Sequence, residues 1–319
     1  MRIAQSIGGD MFMRMRCFLL PGLLVLLVVA PTQTQQTSPS VSEQFRVEVS
    51  QLAAGGLRLK EALEASLDGS ARHLAAIFQR EKPKAPNEAF ELRILESDGQ
   101  ASKTIFRRAD FFFSFARLNG TDINGDGLKE TIVQSSSGGN CWSCNPTEIY
   151  RVSSHKAELI AAGPIQRIAD LNGDGIPELI VTDARWESYD DLSHAASPAA
   201  ATVYAWRNGK YVYASRDFQP FYKSEIDRLH ASIEGAKSQI IADEFSDESY
   251  VGLAITVAIT HTHAGQIERG LEELESLLNS NARSPSQSKH RAAIIDDFRK
   301  GESSKKLREM KYGDPIPLG

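Results

Sequence analysis

Two acidic loops of the same design, each running directly into an apolar stretch, constrain the fold of this 319-residue chain more than any other feature. One loop reads DINGDGLKE from Asp122 to Glu130, and the other reads DLNGDGIPE from Asp170 to Glu178. They start 48 residues apart and are followed by TIV and LIV. The paired glycines allow the left-handed backbone angles that a tight loop needs. A loop-then-strand unit that occurs twice predicts a repeated β structure.

Oxygen-bearing side chains stand at alternate positions of both loops, as a hard divalent cation requires. Ca²⁺ takes about six to eight oxygen ligands, which carboxylates, amides and backbone carbonyls supply together. The predicted ligands are Asp122, Asn124, Asp126, the Leu128 carbonyl and Glu130 in one loop, and Asp170, Asn172, Asp174, the Ile176 carbonyl and Glu178 in the other. Mg²⁺ is the alternative, although it demands stricter octahedral geometry. Soft metals are disfavoured because neither set contains Cys or His.

The loops differ from those of EF-hands at the position that closes the calcium shell. An EF-hand places a bidentate Glu at the twelfth position of its loop and then continues into a helix. Here the twelfth positions are Val133 and Val181, and both lie in apolar runs of β type. Each loop is therefore predicted to lead into a strand.

The pattern Asp-x-Asn-x-Asp-Gly-x-x-Glu before an apolar strand resembles the calcium loop of FG-GAP (also called VCBS) repeats, the blades of integrin-α-type β-propellers. The segments ARLNG from Ala116 and QRIADLN from Gln166 fit this family, as does the hairpin YAWRNGKYV from Tyr204. The resemblance implies calcium binding between blade strands by the side chains of both loops.

The resemblance covers residues 89–218, which have room for two or three blades. A complete propeller needs at least about four blades of four strands. We therefore predict an α+β protein with partial β-propeller-like antiparallel sheets and calcium-binding loops, flanked by an N-terminal helix and a C-terminal helical region. The alternative, that several chains complete one propeller, stays open.

The N-terminus has the pattern of an export signal. Arg14 and Arg16 precede an apolar run from Phe18 to Ala30, which is short for a membrane span of about 20 residues. This pattern predicts a secretory signal peptide over residues 1–32 and an extracytoplasmic location, periplasmic or secreted. An uncleaved anchor is the alternative, and after cleavage no stable membrane span is expected.

Four further segments follow the leader. We predict a flexible N-terminus over 33–50, a helical segment over 51–88, the FG-GAP-like β domain over 89–218 and a helical region over 219–319. Apolar residues at three- and four-residue steps support the helices. Asn208-Gly209 between two aromatic stretches predicts a type I′ hairpin.

The cysteines and histidines yield one structural prediction. Cys141 and Cys144 are expected to form a local disulfide, because an exported protein meets an oxidising compartment. His73 has no partner at ligand spacing and is predicted to be a surface or boundary residue without a role in a site. His261 and His263 are expected to point apart on a helix.

Composition and motifs together favour a binding role. A net charge of −5 and a pI of 5.9 argue against a nucleic-acid partner. The expected function is that of an exported, calcium-binding, non-enzymatic protein whose ligand is an unidentified protein or glycan. One alternative is an extracytoplasmic hydrolase using Asp190, Asp191 and His194 in the loop 185–198. Another is an interaction protein with tetratricopeptide-like C-terminal helices.

Overall fold

Strands that follow one another in sequence pair side by side in three antiparallel sheets. This computed structural model describes residues 41–153, 155–239, 244–280, 282 and 285–317. The sheets comprise β1 (Leu57–Ala65), β2 (Arg72–Arg80), β3 (Phe90–Ser97) and β4 (Ser102–Asp110); β5 (Phe112–Phe115), β6 (Thr131–Ser136), β7 (Thr147–Ser153) and β8 (Lys156–Gly163); and β9 (Ile165–Ala169), β10 (Glu178–Thr182), β11 (Ala201–Arg207) and β12 (Lys210–Tyr213). Within the described residues, none of these four-stranded sheets closes into a barrel.

Helices flank the sheets at both ends of the described chain. They are α1 (Glu43–Ala54), α2 (Gln219–Gln239), α3 (Glu244–His263), α4 (Ile267–Ser280), α5 (Pro285–Lys300) and α6 (Glu302–Glu309). The prediction of an α+β protein with an N-terminal helix and a C-terminal helical region is confirmed. The predicted signal peptide, residues 1–32, lies outside the described residues.

The three sheets pack on one another in chain order. Phe45 of α1 packs with Phe78 on one face of the first sheet. Ile77, on the opposite face, packs with Val133 of the second sheet. Alternate residues of β2 therefore serve two different interfaces, as the two-residue period of a strand requires.

The second and third sheets meet in the same way. Ile132 of the second sheet and Leu179 of the third belong to one buried cluster. The next residue along β10, Ile180, faces the other side and packs with Phe218 and Tyr222 at the start of the helical region. Ile132 and Val133, like Leu179, Ile180 and Val181, are apolar in succession because both faces of these strands are buried.

The predicted helical segment over 51–88 is wrong beyond Ala54, where α1 ends. This stretch instead contains β1 and β2, which pair in antiparallel fashion. Both faces of β2 are covered, so its apolar residues occur at three- and four-residue steps as well as at alternate positions. Gly69, which interrupts the apparent helical pattern, lies in the β1–β2 turn with a φ of 75°.

The predicted flexible segment over 33–50 is also wrong where the structure describes it, because α1 begins at Glu43. Phe45 is fully buried against the first sheet. In α1 itself most side chains are exposed or partly buried, whereas Phe45 anchors the inner side of the helix, with Val49 and Leu52 packed against the same cluster.

The C-terminal part differs from the prediction in its boundaries. The Ser- and Asn-rich stretch 279–288, broken by Pro285, predicts a linker, yet α4 extends to Ser280 and α5 begins at Pro285. Proline suits the first turn of a helix, where its missing N–H needs no partner. The sequence also predicts one last helix over 292–310, and the structure has two helices there, α5 and α6, separated at Gly301.

The Asn208-Gly209 turn is confirmed as the connection between β11 and β12. Asn208 has a φ of 51° and Gly209 a φ of 80°, as a type I′ turn requires. Arg207 pairs with Lys210 on either side of it.

The disulfide between Cys141 and Cys144 is also confirmed. It lies in the β6–β7 connection and closes a very short segment. Replacing both cysteines with serine is therefore expected to lower the free energy of unfolding by less than about 2 kcal/mol, because loop-closure entropy grows with loop length. Chemical denaturation of the variant and of the reduced wild type would measure this, and a loss above about 4 kcal/mol would contradict it.

Candidate functional site

The two acidic loops lie side by side. The first joins β5 to β6, and the second joins β9 to β10. A Cβ added to Gly125 would come within 2.9 Å of the Ile176 side chain, so the loops are in direct contact. The stacking of the second sheet on the third thus brings together two segments that are far apart in sequence.

Tyr211 of β12 lies buried close to both loops. Its hydroxyl donates a hydrogen bond to the Ile123 carbonyl at 3.1 Å. Burial raises the pKa of Tyr211, and the negative charges of Glu130 and Glu178 add to this effect. The two candidate sites therefore share one electrostatic environment.

The first aspartate of each loop organises the loop backbone. Asp122 accepts hydrogen bonds through both carboxylate oxygens, from the N–H groups of Gly125 at 2.8 Å and Gly127 at 2.9 Å. Asp170 does the same with two glycines of its own loop, at 2.7 and 2.9 Å. These bonds lower the pKa of Asp170. The glycines are thus positioned by the carboxylate around which the loop curls.

The glutamate that ends each loop is buried. Glu130 is inaccessible to solvent and Glu178 is 2% exposed. The Ile123 N–H donates to Glu130 Oε2 at 2.9 Å, and the Leu171 N–H donates to Glu178 Oε2 at 2.8 Å. Burial, together with repulsion from the two aspartates of the loop, raises the pKa of Glu130 to about 7. Each loop closes on a buried carboxyl group that has two more carboxylates nearby.

The remaining polar groups of the first loop bind one another. Asn124 is 2% exposed, and its Nδ2 donates to Glu130 Oε1 at 3.0 Å. The Asp126 N–H donates to Asn124 Oδ1 at 3.0 Å. Arg151 Nη1 lies 3.3 Å from Asp126 Oδ2. The predicted ligand side chains of this loop thus form one connected network, and metal ligation by them stays a prediction.

The first sheet has a similar loop in the same position, between its first and second strands. It joins β1 to β2 across residues 66–71 and contains Asp68-Gly69. The Leu67 N–H donates to Nδ1 of His73 at 3.3 Å, as the loops of the other sheets donate to their glutamates. His73 therefore stands where Glu130 and Glu178 stand in the other two sheets.

The prediction that His73 is a surface or boundary residue is wrong, because the side chain is fully buried. One sequence feature indicates this loop: Asp68-Gly69 precedes the apolar run from Leu74 to Phe78. The acidic loops have the same order, with Asp and Gly followed by an apolar strand. This third loop was not predicted, because it lacks the other acidic residues that the two acidic loops contain.

Asp68, His73 and Glu96 form a compact group whose ligand atoms lie within 4.8 Å of one another. Glu96 Oε2 also lies 2.6 Å from Nδ1 of His155, and Glu96 Oε1 lies 3.2 Å from Nζ of Lys103. Burial opposes ionisation of Glu96, but the His155 and Lys103 hydrogen bonds outweigh it and lower its pKa. Among the described residues, the carboxylates of the two acidic loops do not meet the same distance limit.

The loop 185–198 does not bring Asp190 and His194 together. Asp190 Oδ2 lies 2.7 Å from Nε2 of His290 in α5, beside a cavity of about 710 Å³. His194 Nδ1 instead lies 2.9 Å from Glu187 Oε1. Trp186, at the start of the segment, is fully buried and stacks on Phe298 with ring centroids 5.3 Å apart. The segment thus anchors the helices to the third sheet.

His261 and His263 point apart, as predicted. His261 Nε2 lies 2.9 Å from Glu273 Oε2, within the helical region. His263 Nε2 lies 3.2 Å from Asp183 Oδ2, at the end of β10. Each histidine has its own carboxylate partner, so the two do not form a joint metal site.

Comparisons of the chain with protein-family models, curated proteins and solved structures give no match. Among the helices of the described residues, none combines the length and apolar character needed to cross a membrane.

Proposed function

We propose that this protein is an extracytoplasmic, non-enzymatic binding module in which two FG-GAP-like loops hold Ca²⁺. The observation that carries this proposal is the repeated hydrogen-bonding scheme. In each loop an aspartate binds two glycine N–H groups, and a buried glutamate binds the N–H of the residue after that aspartate. A scheme that is kept in two separate sheets points to a shared role.

The chemistry of the donors fits calcium. Every predicted ligand offers oxygen, which hard cations prefer, and both loops are short and rich in glycine. An ionised Glu130 is disfavoured by burial and by its two aspartate neighbours. A divalent cation removes this repulsion, since an opposite charge nearby favours the ionised carboxylate.

Three stacked sheets capped by helices support a partial propeller. Each sheet is a four-stranded antiparallel meander, the form of a propeller blade. In a closed propeller, the first and last blades cover each other. Here α1 covers the first sheet and the start of the helical region covers the third, so the stack needs no further blade.

The helical region supports a capping role. Val251, Ala254 and Ile255 of α3 are buried in one cluster with residues of the loop 185–198 and of α4 and α5. Trp186, Leu192 and Ala196 of that loop are buried in this cluster, and Asp190 and His194 have separate partners, which favours packing over catalysis as the role of the loop. The Cys141–Cys144 disulfide and the predicted leader favour an oxidising, extracytoplasmic compartment.

Counting bound calcium tests the proposal. Isothermal titration of the tag-free protein with CaCl₂ is expected to give about two ions per chain, one for each oxygen-rich loop. Asp122→Asn and Asp170→Asn should each remove one ion, because asparagine lacks the charge and keeps only one of the two oxygens that accept from the glycine N–H groups.

Asp98→Asn is the matched control. Asp98 also accepts two backbone hydrogen bonds, at 2.9 and 3.0 Å, but in the plain β3–β4 turn. This variant should bind as the wild type does. An absence of saturable calcium binding, or full stoichiometry in the Asp122 and Asp170 variants, would rule the proposal out.

A further inference from the structure

The hydrogen bonding of the buried His73 side chain is incomplete at its Nε2 atom. The side chain is fully buried, and this nitrogen has no hydrogen-bond partner among the described residues. Buried polar atoms are nearly always paired, so an exception needs an explanation. The acidic oxygen beside it, Glu96 Oε2, is 3.6 Å away, which is too far for a hydrogen bond.

His155 approaches the same oxygen from the second sheet. It lies in the β7–β8 turn, and its Nδ1 is 2.6 Å from Glu96 Oε2. Its backbone is left-handed, with a φ of 63°, which is uncommon outside glycine. Glu96 Oε2 therefore lies between imidazole nitrogens that come from two different sheets.

The other two charged groups nearby do not pair with this oxygen. Lys103 is 63% exposed and pairs with Oε1, the other carboxylate oxygen of Glu96. Asp68 lies behind the ring of His73, with its Oδ1 3.9 Å from Nδ1. His155 Nδ1 and His73 Nε2 thus lie 2.6 and 3.6 Å from the same Glu96 oxygen, and a second carboxylate, that of Asp68, lies beside the other nitrogen of the His73 ring.

We propose that His73 Nε2, Glu96 Oε2 and His155 Nδ1 bind a borderline divalent metal ion of the Zn²⁺ class at the junction of the first and second sheets. Two histidines and one carboxylate form a ligand set that Zn²⁺ accepts, with water completing a tetrahedron. Calcium is disfavoured because it prefers oxygen ligands. The site is independent of the proposed calcium loops and differs from them in chemistry.

Asp68 is the positioning residue of this site. In the present arrangement Nδ1 of His73 accepts from Leu67, so the neutral ring carries its proton on Nε2. Metal binding through Nε2 moves that proton to Nδ1, where Asp68 Oδ1 is the acceptor and the long Leu67 contact is given up. The result is the carboxylate–histidine–metal order that recurs in zinc proteins.

Zinc titration of the tag-free full chain tests this proposal. ZnCl₂ is expected to bind at one ion per chain, and CaCl₂ should not compete for it. His155→Asn should weaken zinc binding by at least about tenfold, because a ligand is lost while asparagine still tolerates a left-handed backbone. His73→Gln should abolish it, and glutamine can still accept the Leu67 N–H.

The controls separate this site from the others. His194→Gln removes a histidine outside the group and should leave zinc affinity unchanged, as should the Asp122→Asn/Asp170→Asn double variant. Unchanged zinc affinity in His155→Asn would overturn the proposal, and so would loss of zinc in the double variant. Because His155 is exposed, its variant decides the question even if His73→Gln fails to fold.

Discussion

Saturating calcium is expected to raise the free energy of unfolding by about 5 kcal/mol, since each occupied loop contributes about 2.7 kcal/mol when free calcium is 100 times its dissociation constant. Unfolding scatters the ligands, so the ion binds the folded chain alone. The melting temperature should rise on the order of 10 °C and fall again on chelation. Differential scanning calorimetry with calcium and with EDTA measures both changes.

The variants divide this gain between the loops. Asp122→Asn or Asp170→Asn should remove about half of it, and Asp98→Asn none. Because the loops touch through Gly125 and Ile176, the effects of Asp122→Asn and Asp170→Asn need not be strictly additive. A melting temperature that does not respond to calcium would contradict a stabilising role.

Asp183→Ala is expected to destabilise the protein by about 3–5 kcal/mol, the usual cost of breaking a buried ion pair from one side. Asp183 is 5% exposed, and its Oδ2 accepts hydrogen bonds from Arg185 at 2.6 Å and from Trp186 Nε1 at 3.0 Å. The same oxygen faces His263 of α3 at 3.2 Å. Without this carboxylate, the charge of Arg185 and two further donors lose their acceptor at the junction of β10 with the helices.

The pH dependence gives this prediction a second test. Although burial opposes ionisation, the Arg185 and His263 contacts outweigh it and hold the pKa of Asp183 well below its usual range. A depressed pKa contributes stability above the unfolded value of about 3.9, and this contribution is lost as the pH falls through the folded value. The difference in unfolding free energy between the wild type and Asp183→Asn should therefore shrink as the pH is lowered from about 5 to 2.

Asp217→Asn is the matched control for Asp183. Asp217 pairs with Arg207, but both side chains are 38% exposed. Exposed ion pairs contribute about 0–1 kcal/mol. Equal destabilisation by the Asp183 and Asp217 substitutions would mean that Asp183 has no special part in joining the helices to the third sheet.

The sequence alone predicted the structural features that depend on residues close to one another in the chain. Asn208-Gly209 specifies its own turn, and Cys141 and Cys144 are close enough to pair without help from the rest of the chain. The strands after both acidic loops were also predicted, because an apolar run after a glycine-rich loop has few alternatives. Tertiary packing overrode the local pattern in residues 57–80, where two buried faces gave β2 the apolar spacing of a helix.

The sequence alone could not predict which charged and polar side chains come into contact with one another. His73 and Glu96 are paired across β2 and β3, and His155 reaches Glu96 only because the first sheet packs on the second. Asp183 and His263 are 80 residues apart and meet across a helix-to-sheet interface. No spacing rule along the chain identifies such pairs, because their distance depends on how separate elements pack.

The sequence by itself determined that the Asp122–Glu130 and Asp170–Glu178 loops are oxygen-rich, turn back on themselves and lead into strands, since side-chain chemistry and glycine freedom act within a few residues. Tertiary structure alone decided that these loops touch and that a third loop carries a histidine in place of the glutamate. It also decided that helices cap the stack at both ends. These features depend on burial between sheets, which is a property of the assembled fold and of no single segment.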